Sequence, residues 1–154
     1  MTTRRRFISV FTTGTSLALA WAAGLAPRLA AAAWPKAAYD AAKTDETLQA
    51  LFGQTAAQDS PQVKLTAPEI AENGGQVPFI VSSDLPNVDA MAIIVQENPR
   101  PLATSATFDK RAVPTLKTRL KLAKTGKVVA YVRSDGKLYS TTREVKVTLG
   151  GCGG

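Results

Sequence analysis

Lys127-Val128-Val129-Ala130-Tyr131-Val132-Arg133 and the longer run Lys137 to Leu149 flank the tripeptide Ser134-Asp135-Gly136. Asp-Gly between two runs rich in β-branched residues is the strongest hairpin signal in the chain, because a two-residue turn that follows strand twist needs left-handed backbone. In the second run Val145, Val147 and Leu149 point one way, and Glu144, Lys146 and Thr148 the other. That period of two predicts a strand with one face in a core and one in water.

The same period governs the chain upstream. Leu116, Thr118, Leu120 and Leu122 alternate with Lys117, Arg119 and Lys121, which predicts a strand with one wet, basic face. Leu102 to Phe108 reads as a strand, and the continuous apolar run Ala90 to Val95 as a central one. Val77, Phe79 and Val81 alternate with Pro78 and Ile80; the proline suggests a sheet edge or a bulge. Val63 and Leu65 begin a short strand. Pro68 to Gly75 and Asp84-Leu85-Pro86-Asn87 carry turn chemistry, and Asn98-Pro99-Arg100-Pro101 is a rigid connection. About seven short strands within about 100 residues predict an immunoglobulin-like antiparallel β-sandwich. With one cysteine in the chain, that sandwich has no internal disulfide and rests on its apolar core or on a partner.

Ahead of the strands, Trp34 to Phe52 is the one helical stretch outside the leader. Thr44 is the expected N-cap, Asp45 and Glu46 favour the first turn, and Gly53 is the stop. The alanine-rich part from Pro35 to Lys43 can extend this helix. Leu48, Leu51 and Phe52 form one apolar face, which either closes one end of the sandwich or packs on a partner chain. Gln54 to Pro61 is polar and reads as a linker.

The first 33 residues have the three parts of a secretory signal. Thr3-Arg4-Arg5-Arg6-Phe7 is basic, Phe11 to Leu25 is apolar and small, and Leu29-Ala30-Ala31-Ala32-Ala33 offers a cleavage site. The arginine pair before an apolar residue predicts the twin-arginine route, and hence the bacterial periplasm. The apolar part is too short and too rich in Ala, Thr and Ser for a spanning helix of about 20 residues, so no stable membrane anchor is expected after cleavage. The expected organisation is a signal peptide over 1–33 and a helical segment with linker over 34–62. The sandwich follows over 63–149 and a C-terminal arm over 150–154.

Charge and composition narrow the chemistry. The net charge of +7 overstates the basicity of the exported form, because four of the 19 basic residues and none of the 12 acids precede Trp34. Nucleic acid is therefore not an expected partner. With no histidine and one cysteine, neither a His/Cys zinc site nor a histidine-based triad can be built within the chain.

The one cysteine stands in Gly150-Gly151-Cys152-Gly153-Gly154, directly after the predicted last strand. Glycines order poorly and shield nothing, so Gly150, Gly151, Gly153 and Gly154 are expected to form a slender, mobile arm that presents the thiol. The thiolate is the reactive form, and an ordinary cysteine pKa of about 8.5 leaves a few per cent ionised at neutral pH. The sequence offers no histidine to lower it, so activation is expected from other proteins. A second cysteine that would resolve a mixed disulfide is also missing, which argues against a thiol oxidoreductase. A prenylation signal is excluded, since two residues follow Cys152 where three are needed. A thiocarboxylate carrier ending in Gly-Gly needs ATP-dependent activation, which an exported protein would not meet.

Three blocks together resemble the SoxY family, the sulfur-carrier subunit of the periplasmic sulfur-oxidising system. They are Lys64-Leu65-Thr66-Ala67-Pro68-Glu69-Ile70-Ala71-Glu72-Asn73-Gly74; Leu85-Pro86-Asn87-Val88 with Ala92-Ile93-Ile94-Val95 and Asn98-Pro99-Arg100-Pro101-Leu102; and Lys146-Val147-Thr148-Leu149 with the glycine–cysteine tail. The resemblance implies a carrier rather than an enzyme, with no resident cofactor and with thiosulfate-derived sulfur held covalently on Cys152. It implies a heterodimer with a SoxZ-like β-sandwich subunit. It further implies a haem enzyme that conjugates thiosulfate, a hydrolase that releases sulfate, and in some systems a sulfane dehydrogenase. The competing reading is a periplasmic Ig-like binding module whose tail cysteine forms only intermolecular disulfides.

Overall fold

Asp135 (φ 48°) and Gly136 (φ 74°) both adopt left-handed backbone. They make the type I′ turn that the Asp-Gly pair predicts, with Ser134 opposite Lys137 as its closing pair. The strands it joins, β8 (Gly126–Ser134) and β9 (Lys137–Val147), run antiparallel over nine paired positions. The computed structural model to which they belong describes residues 34–109 and 111–148. The expected signal peptide (1–33), Leu149 and the expected arm (150–154) lie outside the described residues.

Seven further strands and two helices complete the described chain. In order they are α1 (Lys36–Asp40), α2 (Thr44–Phe52), β1 (Gln58–Asp59), β2 (Val63–Thr66), β3 (Ile70–Ala71), β4 (Val77–Ser83), β5 (Val88–Val95), β6 (Leu102–Thr107) and β7 (Thr115–Leu120). The larger sheet has the order β1-β9-β8-β5-β6, with β3 also on β9; the smaller has the order β2-β4-β7. The architecture is mainly β, an Ig-like sandwich, as the strand pattern predicts.

Successive residues of a strand face opposite ways, and in β5 and β8 both faces are buried. Met91, Ile93 and Val95 join Val128, Ala130 and Val132 in the core between the sheets, against Val77, Phe79 and Val81 of β4. Ala90, Ala92 and Ile94 join Val129 and Tyr131 on the other face, beneath Ala38 of α1 and Leu48 and Phe52 of α2. A strand covered on both faces needs apolar residues throughout, which is why Ala90 to Val95 shows no alternation. The apolar face of α2 therefore covers the broad outer face of the larger sheet in its own chain. The two placements expected from sequence, the end of the sandwich or a partner, are both corrected.

Other local expectations shift for identifiable reasons. Helix α2 begins at Thr44 itself, after Lys43; Thr44 does not cap it. Instead the fully buried Thr47 donates its hydroxyl to the Lys43 carbonyl at 2.9 Å, and Gly53 (φ 72°) ends the helix as predicted. Ala41 is extended (ψ 140°), so the alanine-rich stretch is a separate short helix. Within the expected linker, β1 pairs parallel with Tyr139–Ser140 of β9. Strand β4 is the central strand of its sheet, but β2 reaches only as far as Ile80. Pro78 lies beyond that point, where its missing N–H breaks no ladder bond to β2.

Tyr131 carries a testable consequence of this double burial. It is 8% exposed. Burial, and to a lesser extent the Asp45 carboxylate, push its phenol pKa above the ordinary value. The neutral form is shared by both states below about pH 10. Above that, the unfolded phenol ionises first, so stability is lost as pH rises through the raised folded value. The urea midpoint is expected to fall between about pH 9 and pH 11, and Tyr131→Phe to remove part of that fall. An equal fall in the variant would assign alkaline lability to other groups.

Candidate functional site

The end of β9 is held from both sides. On one side the Thr125 hydroxyl accepts from Val147 N–H at 2.8 Å and donates to the Val147 carbonyl at 3.3 Å. On the other, β3 lies parallel to β9, with Ile70 opposite Lys146 and Ala71 opposite Val147. Lys146 N–H donates to the Glu69 carbonyl at 2.9 Å, and Thr148 N–H to the Ala71 carbonyl at 3.1 Å. The Thr148 hydroxyl adds a bond of 3.1 Å to the Glu72 carbonyl. The backbone is thus fixed up to the residue before Leu149, four positions short of Cys152. Leu122 N–H donates to the Gly74 carbonyl at 2.8 Å and ties the two clasping loops to each other.

This end of the sandwich is polar and charged. Asn98 bridges the β5–β6 and β7–β8 loops, donating to the Lys121 carbonyl at 2.9 Å and accepting from Ala123 N–H at 3.0 Å. Lys124 lies 2.8 Å from Glu97, whose hydrogen bond and charge hold the ammonium pKa above its ordinary value. Asn98, Pro99, Arg100, Lys121 and Ala123 line an open depression of about 350 Å³ beside it. Arg100 faces Asp40 at 3.4 Å, and the Lys36 hydrogen bond, aided by Arg100, holds the Asp40 carboxyl below its usual range.

The basic row predicted from sequence is present on the outer face of the smaller sheet. Lys117, Arg119 and Lys121 are exposed, while Leu120 and Leu122 between and beyond them are buried. Strands β2, β4 and β7 contain no acidic residue. Among the described residues Lys117, Arg119 and Lys121 have no ion-pair partner, whereas Lys64 on the same face pairs with Asp84.

Cys152 and its glycines Gly150, Gly151, Gly153 and Gly154 lie outside the described residues. What the structure brings together is their root, built from Thr125, Ala71, Glu72 and Thr148. Sequence reasoning misses these residues. Strand β3 is two residues long, and its parallel contact with β9 crosses some 75 positions of chain, so no local periodicity marks it. Among the described residues no three His, Cys, Asp or Glu side chains form a metal-binding cluster, and no helix is long and apolar enough to cross a membrane.

Comparison with known proteins gives this root a context. The family model for sulfur oxidation protein SoxY matches residues 48–152, ending on the cysteine itself. The solved structure of the sulfur carrier protein SoxY from Chlorobium limicola f thiosulfatophilum superposes with a TM-score of 0.64 at 38% identity, over 70% of this chain and 97% of that one. Superoxide reductase (neelaredoxin) from Ignicoccus hospitalis superposes with a TM-score of 0.50 at 24% identity, over 56% of this chain and 80% of that one; this likeness is one of fold. No curated protein matches the chain. A match that runs from Leu48 in the helical cover, through both sheets, to Cys152 spans more than half of the chain, and the chain belongs to the SoxY family of sulfur-carrier proteins in sulfur oxidation.

Proposed function

We propose that Cys152 is the covalent attachment site for sulfur intermediates of thiosulfate oxidation, carried on a glycine arm that presents them to separate enzymes. One observation carries this reading. The only thiol in the chain stands between two glycine pairs, five residues beyond the end of β9, which is hydrogen-bonded on both sides. A fixed base followed by residues without side chains lets the sulfur enter a narrow enzyme site, while the domain stays outside.

The chemistry balances without any group from this chain except the thiolate. Joining thiosulfate to Cys152 forms one S–S bond and releases two electrons, which a haem enzyme accepts. The product is Cys–S–S–SO3⁻. Attack of water on the sulfonate sulfur by a hydrolase then releases sulfate and two protons and leaves a persulfide. A sulfane dehydrogenase, where the organism has one, oxidises the outer sulfur to a sulfonate with oxygen from three waters, accepting six electrons and releasing six protons; a second hydrolysis of Cys–S–SO3⁻ then releases sulfate and a proton and regenerates the thiol. Persulfides and thiosulfonates exchange readily with thiols, and the absence of a second cysteine removes an attacker within the chain. The proposed setting is the periplasm, reached by the twin-arginine route, with a SoxZ-like β-sandwich subunit as the stable partner.

The test is intact-mass spectrometry of the protein isolated from thiosulfate-grown cells. Masses are expected to exceed that of the free thiol by thiosulfonate or by whole sulfur atoms, localised to Cys152. A mass that is always the free thiol or a plain disulfide dimer would favour the alternative, an Ig-like binding module with an incidental tail thiol.

A further inference from the structure

The two outer faces of the sandwich are finished differently. Helices α1 and α2 cover the larger sheet, whereas the outward residues of the smaller one, Lys64, Thr66, Pro78, Ile80, Lys117 and Arg119, are all exposed. Ile80, 37% exposed, stands mid-sheet between Thr66 of β2 and Lys117 of β7, and Pro78 lies opposite Arg119. Alternate residues of an extended chain lie about 6.8 Å apart, so the row Lys117, Arg119 and Lys121 is about 13 Å long. Charge sets this row apart. Among the described residues its three cations have no ion-pair partner, and β2, β4 and β7 hold no acid. Lys127, Lys137 and Lys146 also lack a salt bridge, but each has an acid beside it. Glu144 is opposite Lys127 and two positions before Lys146, and Asp135 is two positions before Lys137.

Charge and size together select an occupant. Like charges held side by side repel; no acid on the three strands offsets them, and an acidic surface laid on the face does. Three strands give a face of at most about 15 Å by 20 Å, roughly 300 Å², far below the roughly 800 Å² per partner of a stable interface. The centre of a stable interface is also apolar and poor in charge, whereas this face offers Ile80 and Pro78 among cations. Both features suit an encounter that charge steers and that then dissociates. We propose that the bare face of the smaller sheet is a docking surface for the acidic surface of an enzyme that acts on the carrier and binds it transiently, with Lys117, Arg119 and Lys121 steering its approach. The stable partner subunit sits elsewhere. This rests on the carrier reading and gives the enzymes in it a surface chemistry.

The test makes the protein, purified with its partner subunit, the varied substrate in thiosulfate-dependent turnover by the reconstituted enzymes. In Lys117→Gln/Arg119→Gln/Lys121→Gln the KM for the carrier is expected to rise about tenfold at low salt with kcat unchanged, because lost rim charges slow the encounter and not the chemistry. Parent and variant should converge in about 1 M salt, where the screening length falls to about 3 Å. Lys36→Gln/Lys43→Gln/Lys137→Gln removes the same net charge from other surfaces and should change KM by less than about twofold. A KM that ignores the row, or that the control moves equally, would overturn the proposal. So would a loss traced by sedimentation to self-association of the variant, since the cations would then only guard the free edge of β7. Sedimentation of the parent, but not the variant, with phosphatidylglycerol vesicles would overturn it as well, by assigning the face to a membrane. Each of these outcomes would leave the carrier reading standing, because that reading is decided separately, by the mass of the protein from cells.

Discussion

Replacing Cys152 with serine is expected to abolish sulfur loading and bring thiosulfate-dependent turnover by the reconstituted partners to background. The folded domain should be left unchanged. The argument is chemical first. The thiolate is the nucleophile, and a serine hydroxyl neither ionises near neutral pH nor forms a bond to sulfur that a hydrolase can reopen. It is structural second. The clasp of Thr125, Ala71 and Glu72 on β9 ends at Thr148, so no described hydrogen bond depends on residue 152. Thermal and urea midpoints should therefore move by no more than a surface substitution does, about 0.5 kcal/mol. Binding of the partner subunit, measured by co-purification, should persist. Turnover retained by Cys152→Ser would remove the covalent carrier altogether. Turnover lost together with the fold would show that the tail is structural.

The contrast between strand and arm also marks what the sequence discloses. Ser134-Asp135-Gly136 announces its hairpin because the turn is local and needs left-handed backbone at both central residues. The alternation of Leu116 to Leu122 announces its basic face because period two is a property of one strand. Ala90 to Val95 reads as central, but a run without alternation does not say what covers its second face. That answer lies in Ala38, Leu48 and Phe52, some 40 positions earlier. Pro78 reads as an edge marker, yet it sits in a central strand; the shortness of β2 makes the site tolerable, and that is a property of another strand. The two-residue strands β1 and β3 are invisible for the same reason, since each exists only as a parallel contact with β9. For the site, the proposed attachment residue is singled out in the sequence by its glycine setting. The hydroxyls and carbonyls that fix the root of its arm are not.

Leu48→Ala is expected to destabilise the isolated chain by about 2–5 kcal/mol, the range for emptying a packed leucine site. Leu48 is 2% exposed and lies in the cluster with Ala92, Ile94, Val129 and Tyr131 on the outer face of the larger sheet. If α2 served only to bind a partner subunit, the same substitution would weaken association and leave the free chain as stable as before. The comparison is Val113→Ala, at a residue 81% exposed, where a change within about 0.5 kcal/mol is expected. For a domain of this size, 1 kcal/mol corresponds to several degrees of midpoint, so the Leu48 variant should melt roughly 10 °C or more below the parent. Loss of the cover would also open Ile94 and Val129 to water. An apolar sheet face exposed in this way favours association between chains, so the destabilised variant should aggregate on heating and bind a hydrophobic dye before the sandwich core melts. A Leu48→Ala chain that keeps its melting temperature and loses only its partner would return α2 to the interface and detach it from the fold.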